Sequence, residues 1–228
     1  MREGRRGRGE GDGVLGAMIH VVSTAFAAPT RERCLASVAS QRGCQFTHHY
    51  VEASTQDPPQ DVITNQMSVI RSLPPDAIVA LLDGDDWLAH PDALAAVAYL
   101  HEAGAWVTYG SFEYSDGRKG FAGELDTHQP VRAQAWKSTH LKTMRAGLFQ
   151  RLLPADLAWP RGAPVPWDMV AMFAAIEMAG WERVAYCREV LYVYNLSTSN
   201  EWRNGPQGEI ALAAQIRARP AYGRIEAL

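Results

Sequence analysis

The chain has 228 residues, 47% of them hydrophobic and 21% charged, with a formal net charge of −3 at pH 7. That is enough chain for one sizeable core, and the charge excludes a generally basic nucleic-acid coat while leaving room for a local basic patch. No apolar run approaches membrane-spanning length, no secretory segment follows the amino terminus, and Cys34, Cys44 and Cys187 lack metal-site spacing, so reduced thiols in a cytoplasmic protein are expected.

Residues 1–17 are rich in Arg and Gly without periodicity and read as a disordered basic extension before a single domain over 18–228. Gly11-Asp12-Gly13-Val14-Leu15-Gly16 matches a dinucleotide fingerprint by accident, since no strand precedes it and a strand, not a helix, follows. Met18–Ala25 is the first strand. Thr30 is placed to cap a helix through about Gln41, with Gly43 as its stop. Phe46–Glu52 is a second strand, followed by the Pro-rich loop at Asp57-Pro58-Pro59. A helix over 61–71 turns Val62, Ile63, Met67 and Ile70 inward, and Pro74-Pro75 breaks it.

Ile78-Val79-Ala80-Leu81-Leu82 is an unbroken apolar run, the mark of a strand buried on both faces. It stops at Asp83-Gly84-Asp85-Asp86, and clustered carboxylates must leave the core because each unpaired one costs several kcal/mol to bury. Strand-helix alternation makes the strands parallel, so Ser23-Thr24, Glu52 and Asp83 should gather on one sheet edge, where open α/β sheets bind ligands. Two clustered carboxylates suit a hard divalent cation that keeps waters and substrate phosphates as its other ligands. A plain solvated acidic turn is the alternative. An EF-hand loop opening at Asp83 fails, because its sixth and twelfth positions are Leu88 and Leu94. A phosphatase-type Asp-x-Asp also follows an apolar strand and stays open as a third reading.

Pro91 opens a helix ending near Gly104, and Trp106–Tyr109 is a further strand. Ser111–Tyr114 and 120–122 flank Asp116-Gly117 as a hairpin, which makes the sheet mixed. Ser138 or Thr139 is placed to cap a helix carrying Leu141, Met144, Leu148 and Phe149, with Lys137, His140, Lys142 and Arg145 on its other sides. Such a basic face is either solvated or a contact for an anion. A Pro-rich loop over 154–166 leads to a helix from Trp167-Asp168 to Gly180, then a last strand at Val190–Tyr194 and a terminal helix over 199–219.

In this order the parts resemble family 2 glycosyltransferases with the GT-A fold, of the compact bacterial and phage type. The resemblance rests on Ile78 through Leu88, on Ser138 through Phe149, and on Trp167-Asp168-Met169-Val170 through Gly180 followed by Val190-Leu191-Tyr192-Val193-Tyr194-Asn195. It implies a Rossmann-like, mixed but mostly parallel central sheet flanked by helices, with a nucleotide-sugar-binding half over 18–115 and an acceptor-side half over 116–228. It further implies a metal-dependent, inverting hexosyltransferase using a nucleoside diphosphate sugar, UDP above all. Thr24 and Ala25 would meet the base through backbone groups. Glu52 stands where the family usually has Asp against base or ribose. Asp83 and Gly84 would face the donor, and Asp83 and Asp85, the DxD motif, would hold Mn²⁺ or Mg²⁺. Asp168 would be the catalytic base, although the family's Glu-Asp pair is here Trp-Asp. His140, Lys142 and Arg145 would face the acceptor or a phosphate. A saccharide, a protein side chain or hydroxymethylated phage DNA all offer the acceptor hydroxyl. A silent nucleotide-sugar-binding module is the competing reading, and no membrane partner is expected.

Overall fold

A computed structural model describes residues 15–25, 30–52, 58–157, 166–197 and 206–228. The first half alternates strand and helix: β1 (Leu15–Ala25), α1 (Arg31–Ala39), β2 (Cys44–Glu52), α2 (Pro58–Arg71) and β3 (Ile78–Asp83). The second half breaks that rhythm with β4 (Trp87–Leu88), α3 (Ala93–Glu102), β5 (Val107–Tyr114), β6 (Lys142–Arg145), α4 (Ala146–Gln150) and α5 (Pro154–Leu157). It closes with α6 (Trp167–Ala179), β7 (Val184–Tyr194) and α7 (Pro206–Ala218).

Among the described residues, all seven strands join one sheet in the order β2-β1-β3-β6-β5-β7-β4. β1 is parallel to β2 and β3, and β5 is parallel to β7. β6 runs against both β3 and β5, which leaves β5 parallel to β3, while β4 runs against β7. The carboxyl ends of β1, β2, β3, β5 and β7 therefore share one edge, and the mixed, mostly parallel sheet expected from the sequence is the one formed.

The unbroken run in β3 follows from burial on both faces. Val79 and Leu81 enter a core with Met67 and Ile70 of α2 and Met172 and Phe173 of α6, while Ile78, Ala80 and Leu82 enter a second core with Val38 of α1 and Leu94 and Val97 of α3. Each of these side chains other than Ala80 contributes about 1.5–3 kcal/mol on leaving water.

Several expectations are corrected. β1 starts at Leu15, so part of the presumed extension belongs to the sheet, and the Gly16 N–H donates to Glu102 Oε1 at 3.0 Å. Residues 1–14, and with them most of the glycine fingerprint, lie outside the described residues. Thr30 precedes α1 but its hydroxyl makes no cap, being spent on the Asp85 carbonyl. Pro91 lies before α3 rather than in its first turn, and β4 was not expected at all. Ser111–Tyr114 continues β5 instead of starting a strand, and beyond the turn at Gly117 (φ 85°) the return is a single bridge, Glu113 to Lys119. β7 extends back to Val184, and α7 covers 206–218, with 198–205 outside the described residues.

The largest correction is the basic helix, which is not formed. Its first half is β6, inserted between β3 and β5 with Lys142 opposite Leu81 and Thr143 opposite both Ala80 and Thr108. Only 146–150 are helical. Two strands with open backbone edges outbid a weak helical spacing, because an unpaired buried N–H or C=O costs more than helix propensity returns.

Candidate active site at the acidic strand edge

The loop after β3 is fixed by its backbone. The Gly84 N–H donates to the Thr24 carbonyl at 3.1 Å, and the Asp85 carbonyl accepts Thr30 Oγ1 at 2.9 Å and Asn195 Nδ2 at 3.0 Å. Asp85 itself is partly exposed, and its carboxylate has no hydrogen-bond partner among the described residues. Pinned at the main chain and free at the side chain, it is presented to the sheet edge.

Asp86, next in sequence, does the opposite. It is 2% exposed and accepts the Asn195 N–H at 2.7 Å and the Tyr192 hydroxyl at 2.5 Å. Burial and the neighbouring Asp83 and Asp85 raise its pKa well above the usual carboxylate range. Of the acidic triplet it is the structural member.

Asp83 ends β3, just before both. Its N–H donates to the Tyr192 oxygen, and that hydroxyl lies 3.3 Å from Asp83 Oδ2. Burial pushes the Asp83 carboxyl up to about 6 against the pull of Lys142, with Asp168 and Asp85 adding to the rise. No group of three or more His, Cys, Asp or Glu converges among the described residues. Asp83 and Asp85 thus fit a Mg²⁺- or Mn²⁺-type ion, which takes one or two protein carboxylates and completes its shell with water and phosphate, and do not fit a dedicated protein cage.

On one side of this loop lie the ends of β1 and β2. Thr24 pairs with Val51 and Asp83, and Ala25 with Glu52, so the expected gathering of strand ends is met. The Thr24 carbonyl is taken by Gly84, and its buried Oγ1 has no partner among the described residues. Glu52 is exposed and ion-paired to Arg31, whose guanidinium also lies 5.0 Å from the centre of the Tyr50 ring.

On the other side lie β6 and α6. Asp168 occupies the second position of α6, with Pro166 as the residue capping the helix. Trp167 anchors that end through Nε1 to Gln66 Oε1 of α2 at 2.7 Å. The Asp168 side chain is 36% exposed and forms a close ion pair with Lys142, which is 1% exposed. Burial would raise the Asp168 carboxyl, but Lys142, helped by His140, holds it below the ordinary carboxylate range. His140 stacks on Tyr192 with ring centres 4.4 Å apart, and burial and the Lys142 charge lower its imidazole to about 3.

The sequence-named residues Asp83, Asp85, Lys142, His140 and Asp168 are thereby brought to one edge. Arg145 is not. It pairs with Ile78 at the other end of β3 and donates to the Asp76 carbonyl at 2.6 Å. Tyr192, Asn195, Thr30 and Arg31, which hold or flank the loop, were missed as site residues. Tyr192 and Asn195 close the third matched segment, but nothing in their spacing shows that β7 lies against the acidic loop.

No protein-family profile matches the chain, and no curated protein does. Solved structures match its fold. S. aureus TarS (residues 1–349) in complex with UDP-GlcNAc gives a TM-score of 0.59 at 13% identity, over 88% of this chain and 65% of that one. Glucosyl-3-phosphoglycerate synthase from Mycobacterium tuberculosis, in complex with Mn²⁺, UDP and phosphoglyceric acid, gives 0.59 at 15% identity, over 96% and 86%. The architecture is the GT-A fold of nucleotide-diphospho-sugar transferases. Against full TarS the chain spans 39% of the length.

Proposed function

We propose that the chain is a metal-dependent glycosyltransferase that moves a hexose from a nucleoside diphosphate sugar, UDP-linked, to an acceptor hydroxyl with inversion at the anomeric carbon. The observation that carries this reading is the Asp85 carboxylate, without a partner among the described residues, beside Asp83, with Asp168 across the same edge. The fold supports it, as do the UDP-GlcNAc held by TarS and the Mn²⁺ and UDP held by the mycobacterial synthase.

Asp83 and Asp85 would hold Mn²⁺ or Mg²⁺, which when bound neutralises charge on the departing diphosphate. Glu52, with the backbone of Thr24 and Ala25, lines the donor side at the ends of β1 and β2. Asp168, on the β6 side, takes the proton of the acceptor hydroxyl as its oxygen bonds to the anomeric carbon. The bond from that carbon to the phosphate oxygen breaks, and its electron pair leaves with the diphosphate. A base on the face opposite the leaving group gives inversion. General base catalysis of this kind contributes about 10² to 10⁴ in rate. With the basic helix absent and Arg145 at the far end of β3, the feature that pointed to a nucleic-acid acceptor is gone.

Calorimetry with UDP, with and without Mn²⁺, on the unmodified chain and on Asp85→Asn tests the donor site. Binding that needs the metal and is lost in the variant is expected. Equal binding in all four titrations overturns the reading.

A further inference from the structure

We propose that Lys142 is a positioning residue: its buried ammonium holds the Asp168 carboxylate ionised and aimed at the cleft. The inference rests on Asp168 being the base of the reaction proposed above.

Lysine is among the residues least often buried, and an ammonium without a counter-charge cannot remain in a core. Lys142 is nevertheless 1% exposed, placed there by the register of β6, where it stands opposite Leu81. Its one ion-pair partner among the described residues is Asp168. The pair joins two elements distant in sequence, β6 and the first turn of α6.

The charges around the pair show what it is for. Asp168 and Lys142 both act on the neighbouring Asp83 carboxyl, Asp168 raising it and Lys142 lowering it. A carboxylate in a partly buried site keeps its charge more readily when a cation is paired with it. The charged groups acting on Asp168 are Lys142 and His140, both from the β6 segment. His140 is held neutral near pH 7 by burial and by Lys142 itself, so Lys142 is the cation that remains. Without it Asp168 would take up a proton and lose the ability to accept one from the acceptor.

A purely structural ion pair gives a different pattern. Buried pairs are often replaceable by apolar residues without loss of stability, whereas removal of one partner leaves an uncompensated charge. Lys142→Met, Asp168→Asn and the double variant separate the two. Each is checked for folding by circular dichroism and thermal unfolding, for binding by calorimetry with UDP and Mn²⁺, and for turnover by release of UDP from UDP-glucose and UDP-GlcNAc with water as acceptor.

Lys142→Met is expected to keep UDP affinity within about threefold and to lower turnover about 10- to 100-fold. The acid limb of its pH–rate profile should move upward, because burial then raises Asp168 with the ammonium no longer opposing it. In the Asp168→Asn background Lys142→Met should change turnover no further, the signature of two residues acting as one unit. An unchanged acid limb and turnover in Lys142→Met overturns the proposal. So does a loss in the double variant equal to the product of the single losses, and so does loss of UDP binding, which would make Lys142 a donor contact. The two levels fail separately: Asp168→Asn at full turnover removes the base assignment, whereas slow Asp168→Asn beside an unaffected Lys142→Met removes only the role of Lys142.

Discussion

Adjacent carboxylates in one loop meet opposite surroundings because the backbone decides which way each points. Asp86 satisfies the Asn195 N–H and the Tyr192 hydroxyl, whereas Asp85 satisfies no group among the described residues. Asp85→Asn is therefore expected to leave the thermal midpoint within a degree or so, a change of about 0.2 kcal/mol or less. Its effect belongs in metal-dependent UDP affinity, lowered at least about tenfold, or about 1.4 kcal/mol. Asp86→Ala should do the reverse. It removes the acceptor of the buried Asn195 N–H and the nearer of two acceptors of the Tyr192 hydroxyl, at about 1–3 kcal/mol in all, read in urea unfolding. A stable Asp86→Ala chain with poor nucleotide binding would exchange the two roles.

Among the elements, β6 departs from its sequence pattern and α6 follows it. Trp167 through Ala179 are apolar on nearly every side, and all of these residues except Asp168 and Glu177 are buried. Those two are the polar exceptions on an otherwise core helix, and each is matched by a cation. Glu177 pairs with Arg132 at 2.6 Å, with both side chains nearly buried, and also accepts the Tyr222 N–H at 2.9 Å. The end of the chain is latched to the same helix, with Ile225 N–H bonded to the Met178 carbonyl and Arg219 and Tyr222 both on Asp156. Glu177→Ala strands the Arg132 guanidinium and frees that latch, so it should cost about 3–5 kcal/mol in denaturant unfolding. Limited proteolysis of the variant should cut first in the last ten residues.

For the whole molecule, buried histidines set the response to acid. His101 is enclosed between α3 and β6, with Nδ1 on the Ala105 carbonyl and Nε2 on Thr143 Oγ1. Burial, with the Arg145 charge, lowers it to about 3 against the pull of the Ala105 bond. Between that value and the unfolded 6.5, the unfolded chain binds the proton and the folded chain does not, so stability falls as pH falls through the window. The slope from one such group approaches about 1.4 kcal/mol per pH unit. Asp83 and Asp86 work in the other direction, since raised carboxyl groups favour the fold as pH drops. The difference in slope between the unmodified chain and His101→Gln isolates the histidine. Parallel slopes from pH 6 to 4.5 would show that His101 titrates normally in the fold.

The sequence by itself determined β3 and the loop after it, because an apolar run ended by carboxylates admits few other physical solutions. It determined that the ends of the first three strands share an edge, since alternating strands and helices must pair in parallel. It also determined the start of α6, where Trp167 and Asp168 stand before an apolar run. Only the tertiary structure decided the state of residues 138–151, whose weak helical spacing lost to two waiting strand edges. Only it separated Asp85 from Asp86, because that difference depends on where Asn195 and Tyr192 arrive more than a hundred residues later. The same holds for the Lys142–Asp168 pair: a sequence shows that a lysine is present, but which charges enclose it is fixed by packing between elements distant in the chain.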